Sequence, residues 1–256
     1  MCRTTAILIA VLAWLVSAAA APAQTLSIAA ASDLQAVLPT LVQRFESQSG
    51  IGARLTFGSS GNFFSQIQNG APFDLFLSAD VEYPRQLVSA NLALGDTLYE
   101  YASGRLVLWT RKDSGIDVQQ GLRVLTDPHV RRIAIANPEH APYGRAAVAA
   151  LRHERLYETV QSKLVLGENI SQAAQFVQSG NADVGILALS VALAPALKAG
   201  GTYAEIPSTM HPAIRQAAVV LRGAKNQKAA RDFLAFLKQP DSMKLLADFG
   251  FAVTHD

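Results

Sequence analysis

Short apolar runs alternate with segments of helical period along this chain, and that alternation limits the possible folds more than any other feature. The runs are "LSIAAA" (26–31), "ARLTF" (53–57), "DLFLSA" (74–79), "RLVLW" (105–109), "RIAIA" (132–136), "VGILAL" (184–189) and "QAAVVL" (216–221). Each has the length and composition of a strand. Between them, Leu34, Val37, Leu38, Leu41, Val42 and Phe45 form one helical stripe, and Ala173, Ala174, Phe176 and Val177 another. Phe233, Leu234, Phe236 and Leu237, then Leu245, Leu246 and Phe249, predict closing helices. Such alternation predicts an α/β protein of parallel sheets with helices on both faces. Hydrophobic residues make up 50% of the chain, enough to fill real cores. "LYEYASGRLVLW" (98–109), with Gly104 between two strand-like pieces, and "STMHPAIRQAAVVL" (208–221) are candidates for a crossing between lobes and its return. The pattern alone decides neither.

The first 23 residues read as a cleaved leader. Arg3 supplies a positive start, "AILIAVLAWLVSAAAA" an apolar stretch, and "APA" (21–23) a small-residue cleavage signal. The alternative is an uncleaved anchor, for which the apolar stretch is short. Cys2, the only cysteine, precedes that stretch and so cannot carry a lipid at the cut. The remaining chain then has no disulfide, thiol nucleophile or thiolate metal site, and an exported, soluble protein follows. Of 22 Lys and Arg only Arg3 lies in the leader, which leaves 21 basic against 20 acidic side chains. With no Lys/Arg block, nothing points to nucleic acid or an anionic membrane. The roughly 230 residues beyond the leader fit one large domain or two of ordinary size.

Four junctions share one form, in which small or polar residues end a strand or loop and a helix begins: "AAASDL" (29–34), "FGSSGN" (57–62), "NPEHAPYGRAA" (137–147) and "LGENISQAAQF" (166–176). A helix start leaves backbone N–H groups unpaired and carries partial positive charge. Several such starts converging would make an anion site without Lys or Arg. Taken singly, each is also an ordinary helix cap or turn. Asn169 with Gln172 three residues on fits a capping box.

Catalytic constellations are weaker. "FGSSGN" is no nucleophile elbow, because Asn62 stands where the second Gly is required. His129, His140, His153, His211 and His255 show no metal-ligand spacing. His140 beside Glu139 has no nucleophile partner and reads as a surface turn, while Asp80 reads as the cap of the helix after it. No enzyme is evident, and spacing alone does not exclude residues that meet only in the fold.

At these junctions the chain resembles the periplasmic molybdate-binding proteins of ABC transporters. The resemblance is carried by "AAAS", "GSSG", "QNGAPFDLFLSAD" (68–80), "NPEHAPYG" and "ENISQA", in the family's order, and runs from Leu26 to "FGF" (249–251). It implies a class II periplasmic-binding-protein fold, two α/β lobes joined by two crossings. Lobe I would comprise 24–102 and 214–256, and lobe II 103–213, after a signal peptide over 1–23. By motif, the ligand-binding residues would be Ser32 and Ser60 in the first lobe, through hydroxyls and main-chain N–H. Tyr143 and Ile170 would serve in the second, chiefly through main-chain N–H. No cofactor is implied, and the same four residues would hold molybdenum as its oxyanion, molybdate or tungstate. A membrane permease would be the partner of a monomeric periplasmic protein. Binding of phosphate or sulfate, a sensory role, and an exported enzyme on the same fold are the alternatives.

Two departures from the family stand out. Ala188 in "GILALS" occupies a position where many members have Tyr, and Tyr143 stands as the replacement phenol. Asp33 follows Ser32 where small apolar or amide residues are common. A carboxylate in the site would repel a dianion yet accept a proton from hydrogen phosphate. Pointing away, Asp33 caps the helix starting at Leu34, and that is the expectation here, because unpaired buried carboxylates are costly.

Overall fold

The computed structural model describes residues 25–253, so the leader expected over 1–23 lies outside the described residues. The strands are β1 (Leu26–Ala31), β2 (Ala53–Gly58), β3 (Leu75–Ser78), β4 (Tyr99–Gly104), β5 (Leu106–Arg111), β6 (Ile133–Ala136), β7 (Leu164–Gly167), β8 (Val184–Ala188), β9 (Gly201–Glu205) and β10 (Ile214–Val220). The helices are α1 (Leu38–Ser49), α2 (Ser60–Gln68), α3 (Glu82–Ser89), α4 (Pro142–His153), α5 (Tyr157–Val160), α6 (Ile170–Gln178), α7 (Leu189–Ala192), α8 (Pro195–Gly200), α9 (Gln227–Leu237) and α10 (Pro240–Asp248). They form two α/β lobes around two five-stranded sheets, ordered β2-β1-β3-β10-β4 and β7-β6-β8-β5-β9.

In the first sheet β1 is buried along its whole length between two parallel neighbours, with Leu26 opposite Ala53 and Ile28 opposite Leu75. Successive side chains of a strand point to opposite faces. Ile28 and Ala30 accordingly enter the core under α1 and α9, while Ala29 joins Phe63 and Phe76 on the other side. The α1 stripe of Leu38, Leu41, Val42 and Phe45 is buried as its spacing requires. Phe45 meets the Phe233 ring edge-on at 5.0 Å. Gly50, at φ 71°, ends α1 in the left-handed conformation that glycine adopts without a Cβ clash.

The chain passes between lobes twice. Only Arg105 separates β4 in the first sheet from β5 in the second, and residues 206–213 lead from β9 back to β10.

Two expectations need correction. The sheets are mixed: β10 runs antiparallel to β3 and β4, and β5 antiparallel to β8 and β9. The strand that follows each crossing, β5 or β10, runs against the other strands of its sheet, which strand–helix alternation does not reveal. β7 and β9 were not expected as strands. Both lie on sheet edges, where one side lacks a neighbour and no continuous apolar run is needed. Leu166 in β7 is a large hydrophobic residue left exposed.

The parallel strands β1, β2 and β3 end on the same side of their sheet, as do β6, β7 and β8 of theirs. Loops leaving these carboxyl ends face one another across the gap between lobes. Crevices at such strand ends are where open α/β sheets bind ligands.

Candidate functional site

All four junctions meet there. One small cavity, about 10 Å³, is lined by Ser32, Asp33, Ser59 and Ser60 of the first lobe and by Pro142, Tyr143, Asn169 and Ile170 of the second, with Ala31, Gly58, Ala79 and Ala141 between them. Ser32, Ser60, Tyr143 and Ile170 are each at most 4% exposed. Larger hollows, about 500 Å³ beside α10 and about 330 Å³ near Arg145 and Arg215, carry charged side chains and do not bring the four helix starts together.

Each wall residue is placed by a local rule. Ser59 is the N-cap of α2, its hydroxyl accepting from Asn62 N at 3.4 Å. That leaves Ser60 as the first helical residue. Its Oγ accepts the Ala79 N–H at 2.9 Å, and its own proton remains available to the cavity. Pro142 opens α4 with no N–H to satisfy, which makes Tyr143 the first donor of that helix. Asn169 Oδ1 accepts from Ser171 and Gln172, both at 3.1 Å, so the N–H of Ile170 is the one this cap leaves over. The capping box is displaced by one residue: Gln172 Oε1 accepts from Glu168 N rather than from Asn169. Gly144 is required, since a Cβ there would collide with the Ala136 carbonyl.

Among the described residues no Lys, Arg or His lines the cavity, and Asp33 does. The expectation that Asp33 caps a helix and points away is overturned. The turn begins two residues earlier, as a 3-10 segment over Ser32–Leu34 with Ala31 as N-cap, so Asp33 lies inside it. Its Oδ2 accepts from Tyr143 Oη at 2.9 Å and Gln216 Nε2 at 2.5 Å. Gln216 Nε2 also donates to Tyr143 Oη at 3.0 Å, and Gln216 Oε1 accepts from Tyr101 Oη at 2.7 Å. Asp33 Oδ1 is buried without a well-formed hydrogen bond. Burial pushes this carboxyl up to about 6, against the hydrogen bonds from Gln216, from Tyr143 and from the main-chain N–H groups of Asp33 and Leu34. Burial, and then the Asp33 charge, holds the Tyr143 and Tyr101 phenols well above their ordinary range. The Tyr143 hydroxyl is therefore engaged with Asp33 and does not replace the phenol absent at Ala188, which is itself buried at the end of β8.

A model of the family described as bacterial extracellular solute-binding protein matches residues 26–252. The chain belongs to that family. It is a family of solute-binding proteins rather than enzymes. The chain is 38% identical to the molybdate-binding protein ModA of Azotobacter vinelandii over 236 residues, 92% of this chain and 93% of the relative. Identity to ModA of Rhodobacter capsulatus is also 38%, over 207 residues that cover 81% and 80% of the two chains. The solved periplasmic molybdate-binding protein of Azotobacter vinelandii superposes with a TM-score of 0.84 at 33% identity, covering 90% of this chain and all of that one. The fold is thus a periplasmic-binding-protein fold.

In this solute-binding protein the lobes are held together around the cavity by contacts that sequence reading did not anticipate. Ser171 Oγ donates to Ser32 O at 3.0 Å, and Ser190 Oγ to Asp33 O at 2.9 Å. The Gly61 N–H meets His140 O at 2.9 Å, and Asn62 Nδ2 bonds Glu168 Oε1. His140 thus sits at the lobe interface rather than on a free surface turn, its ring Nε2 3.0 Å from Glu168 O. Asp80 caps α3 as expected, through Glu82 N at 2.9 Å, and its other oxygen binds Arg145 at 2.5 Å. The one sequence signal for Gln216 is a polar residue opening the apolar run "QAAVVL", and it is fully buried.

Proposed function

We propose that this protein captures molybdate or tungstate outside the cytoplasm, in the periplasm after cleavage near Ala23, and delivers it to the permease of an ABC transporter without turning it over. The observation that carries this is the meeting of helix-start donors from both lobes in one small cavity with no basic side chain among the described residues. The names of the molybdate-binding relatives support the choice of anion. Ser32 and Ser60 would hold it from the first lobe, lobe I (24–102 and 214–256). Tyr143 and Ile170 would hold it from lobe II (103–213), both through main-chain N–H because the Tyr143 hydroxyl is already engaged. Molybdenum enters only as its oxyanion.

Neutral donors suit an anion that must be held firmly and still released. Each hydrogen bond to a charged group is worth about 1.5–3 kcal/mol. Sulfate has the same charge but is smaller, so a rigid ring spaced for the larger tetrahedron leaves it with long bonds. Two poorly made bonds would then give at least about a hundredfold preference. Because donors come from both lobes, the anion favours the closed state. Competition calorimetry with molybdate, tungstate, sulfate and phosphate tests the reading, and tighter binding of sulfate or phosphate would overturn it.

A further inference from the structure

Asp33 is the only charged side chain in the cavity wall, among the described residues. Its Oδ2 is taken by Tyr143 and Gln216, while its Oδ1 is buried without a well-formed hydrogen bond, the main-chain N–H groups of Asp33 and Leu34 being the other donors near the carboxyl. An ionised carboxylate there would face a bound dianion with no cation between them, in surroundings that screen charge poorly. A protonated one would present an O–H donor instead. We propose that Asp33 takes up a proton from solvent when the oxyanion binds, and that its Oδ1 then donates a hydrogen bond to an anion oxygen. This rests on the oxyanion reading above and adds a proton to it.

The surroundings of the turn permit this. Tyr143 from α4 and Tyr101 from β4 are the titratable groups facing Asp33, and both stay neutral phenols. β10 faces it with Gln216, and α7 with Ser190. α6 carries no titratable side chain, and Arg54 of β2 is exposed at the far end of its strand. Arg145 on α4 is turned to Asp80 and Tyr83. Burial has already raised the carboxyl to about 6, and a neighbouring dianion raises it further. Parting of the lobes would hydrate Asp33, release its proton and set a negative charge beside the anion. Opening and release are thereby coupled.

The test is calorimetry of molybdate binding between pH 7 and 8.5, in buffers with different heats of ionisation, on wild type and Asp33→Asn. In wild type, uptake should approach about one proton per anion, and Kd should rise by up to about tenfold per pH unit. Asp33→Asn keeps a donor at the Oδ1 position without titrating. It should abolish the uptake, flatten the pH dependence and bind more tightly than wild type at pH 8.5. Molybdate binding by wild type with no proton uptake would overturn this proposal and leave the oxyanion reading standing. So would uptake that persists in Asp33→Asn. Phosphate preferred by wild type and lost in Asp33→Asn would mean that an ionised Asp33 accepts a proton from the ligand, and would overturn it too. Failure of both proteins to bind molybdate at any pH would overturn the functional reading and this proposal with it.

Discussion

Replacing Asp33 by Asn should stabilise the closed form of the anion-free protein at pH 8 by far more than at pH 4.5. The carboxyl is 1% exposed and raised from its ordinary 3.8 to about 6. At about 1.4 kcal/mol per pH unit, holding it ionised in the folded state costs about 3 kcal/mol. The sign follows from proton binding. Below pH 3.8 both folded and unfolded chains carry the proton, and nothing is lost. Between 3.8 and about 6 the folded chain binds the proton more tightly, so stability falls as pH rises. Above that the whole penalty is present and constant. At pH 4.5 only about 1 kcal/mol of it has developed. Asn titrates nowhere in this range. Its carbonyl oxygen can accept from Tyr143 and Gln216 as Oδ2 does, and its NH2 takes the place of Oδ1. The advantage of Asp33→Asn should therefore grow by about 2 kcal/mol between pH 4.5 and 8, whatever fixed offset the substitution brings. Urea unfolding followed by far-UV circular dichroism measures it. An advantage, or a loss, of the same size at both pH values would refute the reasoning, because it would mean that Asp33 does not titrate differently in the folded state.

Ser60→Ala should weaken molybdate binding about tenfold to a hundredfold, the range set by one hydrogen bond to a charged group. Its far-UV spectrum should be unchanged, and calorimetry showing unaltered affinity would remove Ser60 from the site. Gly61→Ala places a Cβ 2.6 Å from His140 O and 2.9 Å from its Cα, which forbids the closed approach of the lobes while leaving each lobe intact. Small-angle scattering should show this variant failing to contract with anion, and its affinity should fall at least tenfold. Arg145→Met removes a pair with Asp80 whose side chains are 38% and 25% exposed. It should change affinity by less than about fivefold, the scale of a solvent-screened pair, and calorimetry at low and high salt checks it.

What could be read from the sequence, and what could not, divides by the range of the interaction involved. Ser59 as cap, Ser60 as first helical residue, Pro142 ahead of Tyr143 and Asn169 ahead of Ile170 are settled within four residues of chain, so the helix starts were legible as potential donors. The central strands were legible because burial on both faces imposes an unbroken apolar run, whereas the edge strands β7 and β9 escape that demand. Asp33 was misread for the opposite reason. Its local context, a polar residue at a helix start, is that of a cap. Its actual partners, Tyr143 and Gln216, lie 110 and 183 residues away and reach it only after two crossings have set β10 and α4 against the turn. The same distance gives the residue its role. A cap reports only on its own helix, while a carboxylate held by one residue from each lobe is sensitive to whether the lobes are closed. Its desolvation exists in the closed form and lapses in an open one. Proton affinity and lobe closure are therefore linked in this protein even before an anion arrives, and acid should favour the closed form of the empty protein.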